Sequence, residues 1–343
     1  MSLGDVRLED GSLSYINRQT GDRHEVEQIN LKLALQDIDS PFEADGSLTY
    51  EDETLVLRTK IDQPRAIVEG GNTPLTLTVR SNVVSLALDG QASGGEEVSI
   101  GGKTDLNVPS VRGLAAWLGA EVPMEQGFNE LDIQGQLNAK ADTIAFTDAT
   151  LAFDEINGTG AITLATGGSV PSVTGSLAVD ILDLRPYSGA SQGAPGGGGP
   201  AGGPGGSAPA SEEWSNDPID FSGLKAMNAD LDLSANQIFV DAFEIGKSVL
   251  AVTVKDGVLT TNLSELALYE GVGKGTLTVD GRRRNAVIRT NLSLTGVQSQ
   301  PIVKALMDKD FLAGAGKIEF NLTTSGNSQR QFMRALDGRG QVF

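Results

Sequence analysis

Residues 75–79 read Leu-Thr-Leu-Thr-Val, an apolar side chain at every second position, and residues 275–279 repeat the pattern as Gly-Thr-Leu-Thr-Val. That period sets apolar and polar groups on opposite faces of a strand. The same spacing runs through Leu31/Leu33/Leu35, Leu55/Leu57, Leu131/Ile133, Leu151/Phe153 and Leu177/Val179/Ile181. It returns at Leu231/Leu233, Val252/Val254, Leu266/Leu268, Leu292/Leu294 and Ile318/Phe320/Leu322. Asp-Gly pairs at 10–11, 45–46, 89–90, 256–257 and 280–281 are expected to supply the positive φ angles of tight hairpin turns between short strands. The fold class that follows is mainly β, a large antiparallel sheet system built of hairpin repeats.

Weak internal repetition agrees with this. Asp10-Gly-Ser-Leu-Ser-Tyr15 recurs as Asp45-Gly-Ser-Leu-Thr-Tyr50, and Asn262-Leu-Ser264, Asn291-Leu-Ser293 and Asn321-Leu-Thr323 recur about 30 residues apart. The last three fit the glycosylation sequon, but each lies in an alternating run, which favours a strand repeat. About three short helices are expected: Val111 to Leu118 capped by Ser110, a run from Ser299 through Met307, and a third opened by Ser328 and Gln331 and stopped at Gly338.

The stretch 188–213 is dominated by Gly, Pro, Ala and Ser and contains nothing large enough to pack, so it reads as a flexible linker. The expected domains are 1–187, an N-terminal β-repeat domain, and 214–343, a C-terminal β domain. With no run of ten consecutive apolar residues, no transmembrane helix is expected. Met1-Ser2-Leu3 leads straight into strand-like sequence, and the chain is expected to be a section of a longer protein.

Composition excludes much chemistry. The chain carries 45 acidic and 26 basic side chains, a formal net charge of −19, which repels phosphate backbones and anionic lipid headgroups at long range and disfavours nucleic acid as a partner. There is no cysteine and one histidine, His24, which removes thiolate chemistry and His-cluster metal sites. Gly102-Lys103-Thr104 and Gly246-Lys247-Ser248 lack the first glycine of a phosphate loop, and Gly189-Ala-Ser191-Gln-Gly193 places a hydrolase-like serine in the linker with no histidine after it. Glu51-Asp52-Glu53 and Glu96-Glu97 read as solvated hairpin tips, and Arg282-Arg283-Arg284 as a charged turn with a smaller claim to contact lipid phosphate. No catalytic residue, cofactor or metal is expected, and the protein is expected not to be an enzyme. A few aromatics (two Trp, four Tyr, eleven Phe) also argue against an outer-membrane barrel, which needs aromatic girdles.

Several segments carry a resemblance to a known family. They are Pro218-Ile-Asp-Phe-Ser-Gly-Leu-Lys-Ala-Met-Asn-Ala-Asp-Leu-Asp-Leu-Ser234, Val254-Lys-Asp-Gly-Val-Leu259, Ala267-Leu-Tyr-Glu-Gly271, Gly275-Thr-Leu-Thr-Val279, Leu294-Thr-Gly-Val-Gln298 and Leu336-Asp-Gly-Arg-Gly-Gln-Val342. Earlier in the chain, Gly4-Asp-Val-Arg-Leu-Glu-Asp-Gly-Ser-Leu-Ser-Tyr15 and Asp39-Ser-Pro-Phe-Glu-Ala-Asp-Gly-Ser-Leu-Thr-Tyr50 belong to the same pattern. Together they resemble the AsmA family of bacterial envelope proteins, in which the final Asp-Gly pattern continues beyond the point reached here. The resemblance implies a long curved β-sheet forming a groove, a periplasmic location, an inner-membrane anchor outside this sequence, and a part in outer-membrane biogenesis by carrying phospholipid or another envelope lipid between membranes. The alternation is compatible with such a trough, and equally with a sandwich whose apolar faces pack together. The lipid-contact candidates are Leu31, Leu33, Leu35, Leu231, Leu233, Val252, Val254, Leu292 and Leu294. The alternative function is a structural or assembly factor whose partners are outer-membrane proteins or their assembly machinery.

Overall fold

A computed structural model describes residues 4–16, 23–120, 127–187, 214–240, 243–298, 300 and 314–343. The expected linker, its Gly189–Gly193 motif and, apart from Gln300, the helix expected from Ser299 lie outside the described residues. The chain divides into two compact units, Met1–Ala178 and Val179–Phe343.

In the first unit ten strands follow one another, β1 (Gly4–Ile16), β2 (Arg23–Leu35), β3 (Phe42–Tyr50), β4 (Glu53–Ile61), β5 (Asn72–Arg80), β6 (Ser85–Ser93), β7 (Ser99–Val108), β8 (Leu131–Ala139), β9 (Thr143–Phe153) and β10 (Ile156–Ala165). Each pairs antiparallel with the next. Helix α1 (Pro64–Val68) joins β4 to β5, and α2 (Val111–Trp117) follows β7. Strand β11 (Ser172–Asp183) contains the division between units. The second unit holds α3 (Gly223–Ala226), β12 (Asn228–Val240), β13 (Phe243–Ile245), β14 (Ser248–Lys255), β15 (Val258–Leu268), β16 (Gly271–Asp280), β17 (Ala286–Gln298), β18 (Ala315–Gly326), α4 (Gln329–Arg334) and β19 (Asp337–Val342). Its strands also form an antiparallel meander, with β12 pairing both β13 and β14. The mainly β, hairpin-built fold expected from the sequence is what forms.

Register aligns the alternation from strand to strand. In the first unit one row across the sheet runs Leu8, Leu31, Gly46, Leu57, Val79, Leu86, Leu106, Ile133, Leu151 and Gly158. The next row, on the opposite face, runs Lys32, Asp45, Arg58, Thr78, Ala87, Asp105, Gln134 and Thr150. A one-residue slip of any strand would exchange these faces, so burial of one face fixes the register. The charged row pairs laterally, Arg58 with Asp45 at 2.5 Å and, one row along, Lys60 with Glu43 at 3.8 Å.

Among the described residues of each unit no sheet packs over another. Beyond ladder neighbours, the strands meet chiefly short helices. The sandwich alternative is therefore set aside in favour of open, single-layer sheets. Leu75, Leu88, Ala92, Ile133, Leu137, Phe146 and Ala149 nevertheless form a buried cluster, each at most 8% exposed. A flat single layer would leave them half-exposed, so the apolar face curls inward over itself.

Several local expectations are corrected. Only Asp256-Gly257 forms a two-residue hairpin turn within an Asp-Gly pair, with φ of 50° and 82° between Lys255 and Val258. Asp280-Gly281 begins the longer β16–β17 connection, whereas the pairs at 10–11, 45–46 and 89–90 lie inside β1, β3 and β6. At 45–46 the aspartate faces the polar side and pairs with Arg58, while a Cβ on Gly46 would come within 2.0 Å of the Asn30 carbonyl oxygen. This glycine permits close strand approach rather than a turn. Glu51-Asp52 forms the hairpin tip expected of it (φ 46° and 64°), and Tyr269-Glu270 forms another tight turn (φ 46° and 66°) that the sequence does not flag. The strands are also longer than expected, 13 residues in β1, β2, β12 and β17.

Four short α-helices are described against about three expected. Ser110 Oγ accepts from Gly113 N at 3.0 Å and Ser328 Oγ from Gln331 N at 3.4 Å, the two caps the sequence marks. Helices α1 and α3, of five and four residues, are too short to show a period.

Candidate functional site: the apolar face of the second unit

Four rows make up this face. The first runs Ala229, Val254, Leu259, Val279, Ile288, Thr324; the second Leu231, Val252, Thr261, Leu277, Thr290, Leu322. The third is Leu233, Leu250, Leu263, Gly275, Leu292, Phe320; the fourth Ala235, Ser248, Leu266, Gly273, Leu294, Ile318. A bulge between Leu263 and Leu266 keeps both on this face despite their spacing of three. The opposite face is mainly polar: Asn262, Thr276, Asn291 and Asn321 stand in one row, so the recurring Asn-Leu-Ser/Thr segments are indeed a strand repeat.

Burial is uneven along the face. Val279 joins Ala286 and Phe332 in one buried cluster at the end capped by α3 and α4, against Phe221, Leu224, Leu259 and Ile288. Leu266, Leu268, Leu294 and Val297 form a second cluster toward the other end. Between them the second and third rows contain no buried residue, and Leu277 is 37% exposed. The result is an aliphatic trough between two packed ends. Gly275 keeps it hollow, since a Cβ there would lie 2.3 Å from the Asn291 carbonyl oxygen and 3.0 Å from Leu292 Cδ1.

Of the nine sequence candidates, Leu231, Leu233, Val252, Val254 and Leu292 are half-buried on this face, and Leu294 is buried at 3% in the second cluster. Leu31, Leu33 and Leu35 are half-buried on the apolar face of β2 in the first unit, where Leu8 opposite Leu31 is 41% exposed. Leu250, Leu263, Leu277, Phe320 and Leu322 complete the trough and were missed as contacts. The signal for them lay in register, which alternation alone does not supply.

Apart from the hydroxyls of Ser248, Thr261, Thr290 and Thr324, the four rows consist of apolar residues and glycine. The buried Ser248 turns its hydroxyl back to the Gly246 carbonyl at 3.0 Å, and among the described residues no buried side-chain polar atom lacks a partner. Among the described residues no group of His, Asp and Glu has metal-holding geometry. The clearly shifted carboxylates fall below the usual range through adjacent donors: Arg65 on Asp39, Arg185 on Asp183, the Ser222 amide and hydroxyl on Asp220, Arg282 on Asp280, and Lys317 on Glu319. His24 is exposed and bonds Tyr50 Oη at 2.8 Å. A depression of 520 Å³ in this unit lies on the polar side, among Lys274, Asn291, Ser293, Glu319, Asn321 and Arg339.

Fold and site thus define a class, that of proteins presenting a one-sided aliphatic β-surface from an open meander. The model of the AsmA family matches residues 67–342, and the chain belongs to that family. No curated protein and no solved structure matches it. Among the described residues, no helix is long and apolar enough to cross a membrane.

Proposed function

We propose that this chain is a non-enzymatic, periplasmic module of outer-membrane biogenesis that holds phospholipid acyl chains on its apolar faces during transfer between inner and outer membranes. The observation that carries the reading is the trough in the second unit, two mainly apolar rows with no buried member between two packed ends. Each methylene removed from water there contributes about 0.8 kcal/mol, so a chain of many methylenes binds without any specific polar contact. Membership of the AsmA family supports the same reading. Mass spectrometry of lipid retained after mild purification tests it, comparing the wild type with Leu277→Asp. Retained phospholipid is expected to fall several-fold in the variant. Absence of phospholipid from both proteins, together with no transfer between vesicles, would sink the proposal.

A further inference from the structure

The capped end of the second unit carries a basic depression that the trough does not explain. Its volume is 370 Å³, and its lining includes Lys225, Arg283, Arg284, Ile219, Pro218 and Asn327. Lys225 comes from α3, the two arginines from the β16–β17 connection, and the apolar lip from the segment leading into α3. Arg282 is committed to Asp280 through bonds of 2.8 and 2.6 Å, and its carbonyl accepts from Lys225 Nζ at 3.0 Å, which holds the lysine at the rim. Arg283 and Arg284 are exposed and form no ion pair among the described residues. The acid within the lining, Asp220, is engaged by the Ser222 amide and hydroxyl at 2.8 and 2.7 Å. Ile219 beside these cations is 45% exposed.

From this arrangement we infer that the depression docks the capped end of the second unit onto a bilayer of anionic phospholipid, with Lys225, Arg283 and Arg284 on the headgroup phosphates and Ile219 at the level of the acyl boundary. Unpaired cations beside an exposed aliphatic side chain are the composition of an interfacial contact. The net charge of −19 does not forbid it, because screening at physiological salt confines each charge to about 8 Å, so the local cluster decides. This contact does not depend on the trough, and a protein that carries no acyl chain would still make it.

Co-flotation of the whole 343-residue chain with vesicles tests the inference, using phosphatidylcholine alone and phosphatidylcholine containing phosphatidylglycerol. Binding is expected only to the anionic vesicles, falling with added salt, and roughly tenfold weaker or less for Arg283→Glu/Arg284→Glu. Arg80→Glu/Lys140→Glu in the first unit changes net charge equally and is expected to bind as the wild type does. Equal losses in the two variants would show a bulk-charge effect and overturn the site, as would unaltered binding by the first. Arg283→Gln/Arg284→Gln, which leaves the exposed turn uncharged, should reproduce the loss. Displacement from vesicles by inorganic phosphate beyond that caused by sulfate at equal ionic strength would mark a soluble phosphate site and also overturn the docking. Retained-lipid measurements on the same variants are expected to match wild type, which separates failure here from failure of the acyl-chain reading.

Discussion

The centres of the two apolar faces differ although their sequences follow the same rule. In the first unit Leu75, Leu88, Ile133, Leu137 and Phe146 come from neighbouring rows and close into one buried cluster across β5 to β9. In the second, burial is split between two clusters, and the rows through Leu277 and Leu292 stay accessible. Alternation therefore specifies which face is apolar but not whether that face is filled. Filling depends on side-chain size along each row and on how far the sheet curls. Phe146 helps occupy the first unit's centre, whereas Thr261, Gly275 and Thr290 leave the second one short of volume. The first face buries its centre in a packed cluster, and the second leaves part of its apolar surface accessible.

Truncating each centre would break this comparison most directly. Phe146→Ala is expected to destabilise the first unit by about 3–5 kcal/mol, because a buried aromatic leaves a cavity that its neighbours fill only in part. Leu277→Ala, at a 37% exposed position, is expected to cost less than about 1 kcal/mol. Denaturant melts of both variants check the pair. Equal losses would mean that the second centre is a packed core and the trough does not exist.

A smaller effect tests how the second unit closes its capped end. Ser328 is 1% exposed, its hydroxyl caps α4, and its carbonyl receives the Phe332 amide at 3.0 Å. Phe332 in turn packs edge-on against Phe221, with ring centroids 6.2 Å apart, above Val279 and Ala286. Ser328→Ala is expected to cost about 1 kcal/mol. Hydrogen exchange should rise in α4 and at the end of β18 while the first unit is unchanged.

The sequence was most informative where one strand could be read by itself. Alternation located the apolar face, and Ser110 and Ser328 marked two real helix starts, because caps and period are local properties. Asp-Gly misled at 45–46 and 89–90, since a glycine that admits a neighbouring strand is written the same way as one that turns the chain, and at 10–11, where the pair forms a bulge within β1. Leu277 resembled any other strand leucine until register set Thr261 and Thr290 beside it. The basic depression was less legible still. Arg283 and Arg284 were visible as a charged run, but Lys225 and Ile219 join them only through the packing of α3 and its approach segment against the β16–β17 connection.

The smallest expected effect concerns acid. Of the five carboxylates held clearly below their ordinary range among the described residues, Asp183, Asp220, Asp280 and Glu319 belong to the second unit, and Asp39, paired with Arg65, to the first. A carboxyl whose folded pKa is depressed binds fewer protons in the native state. Its contribution is complete above the unfolded value near 4 and is lost as pH falls through the depressed folded value. These groups are reached by solvent and screened, so each contribution is slight and salt weakens it. Their uneven distribution still predicts an order of loosening. The chain has two tryptophans, Trp117, whose indole donates to the Tyr50 carbonyl in the first unit, and Trp214, whose carbonyl receives Arg330 Nε in the second. Trp117→Phe and Trp214→Phe therefore give one reporter for each unit. On acid titration below pH 4 the Trp214 signal is expected to move before the Trp117 signal, and Asp280→Asn should narrow the gap. Coincident transitions in the two single-tryptophan proteins would show that the acid response does not follow this distribution of ion pairs.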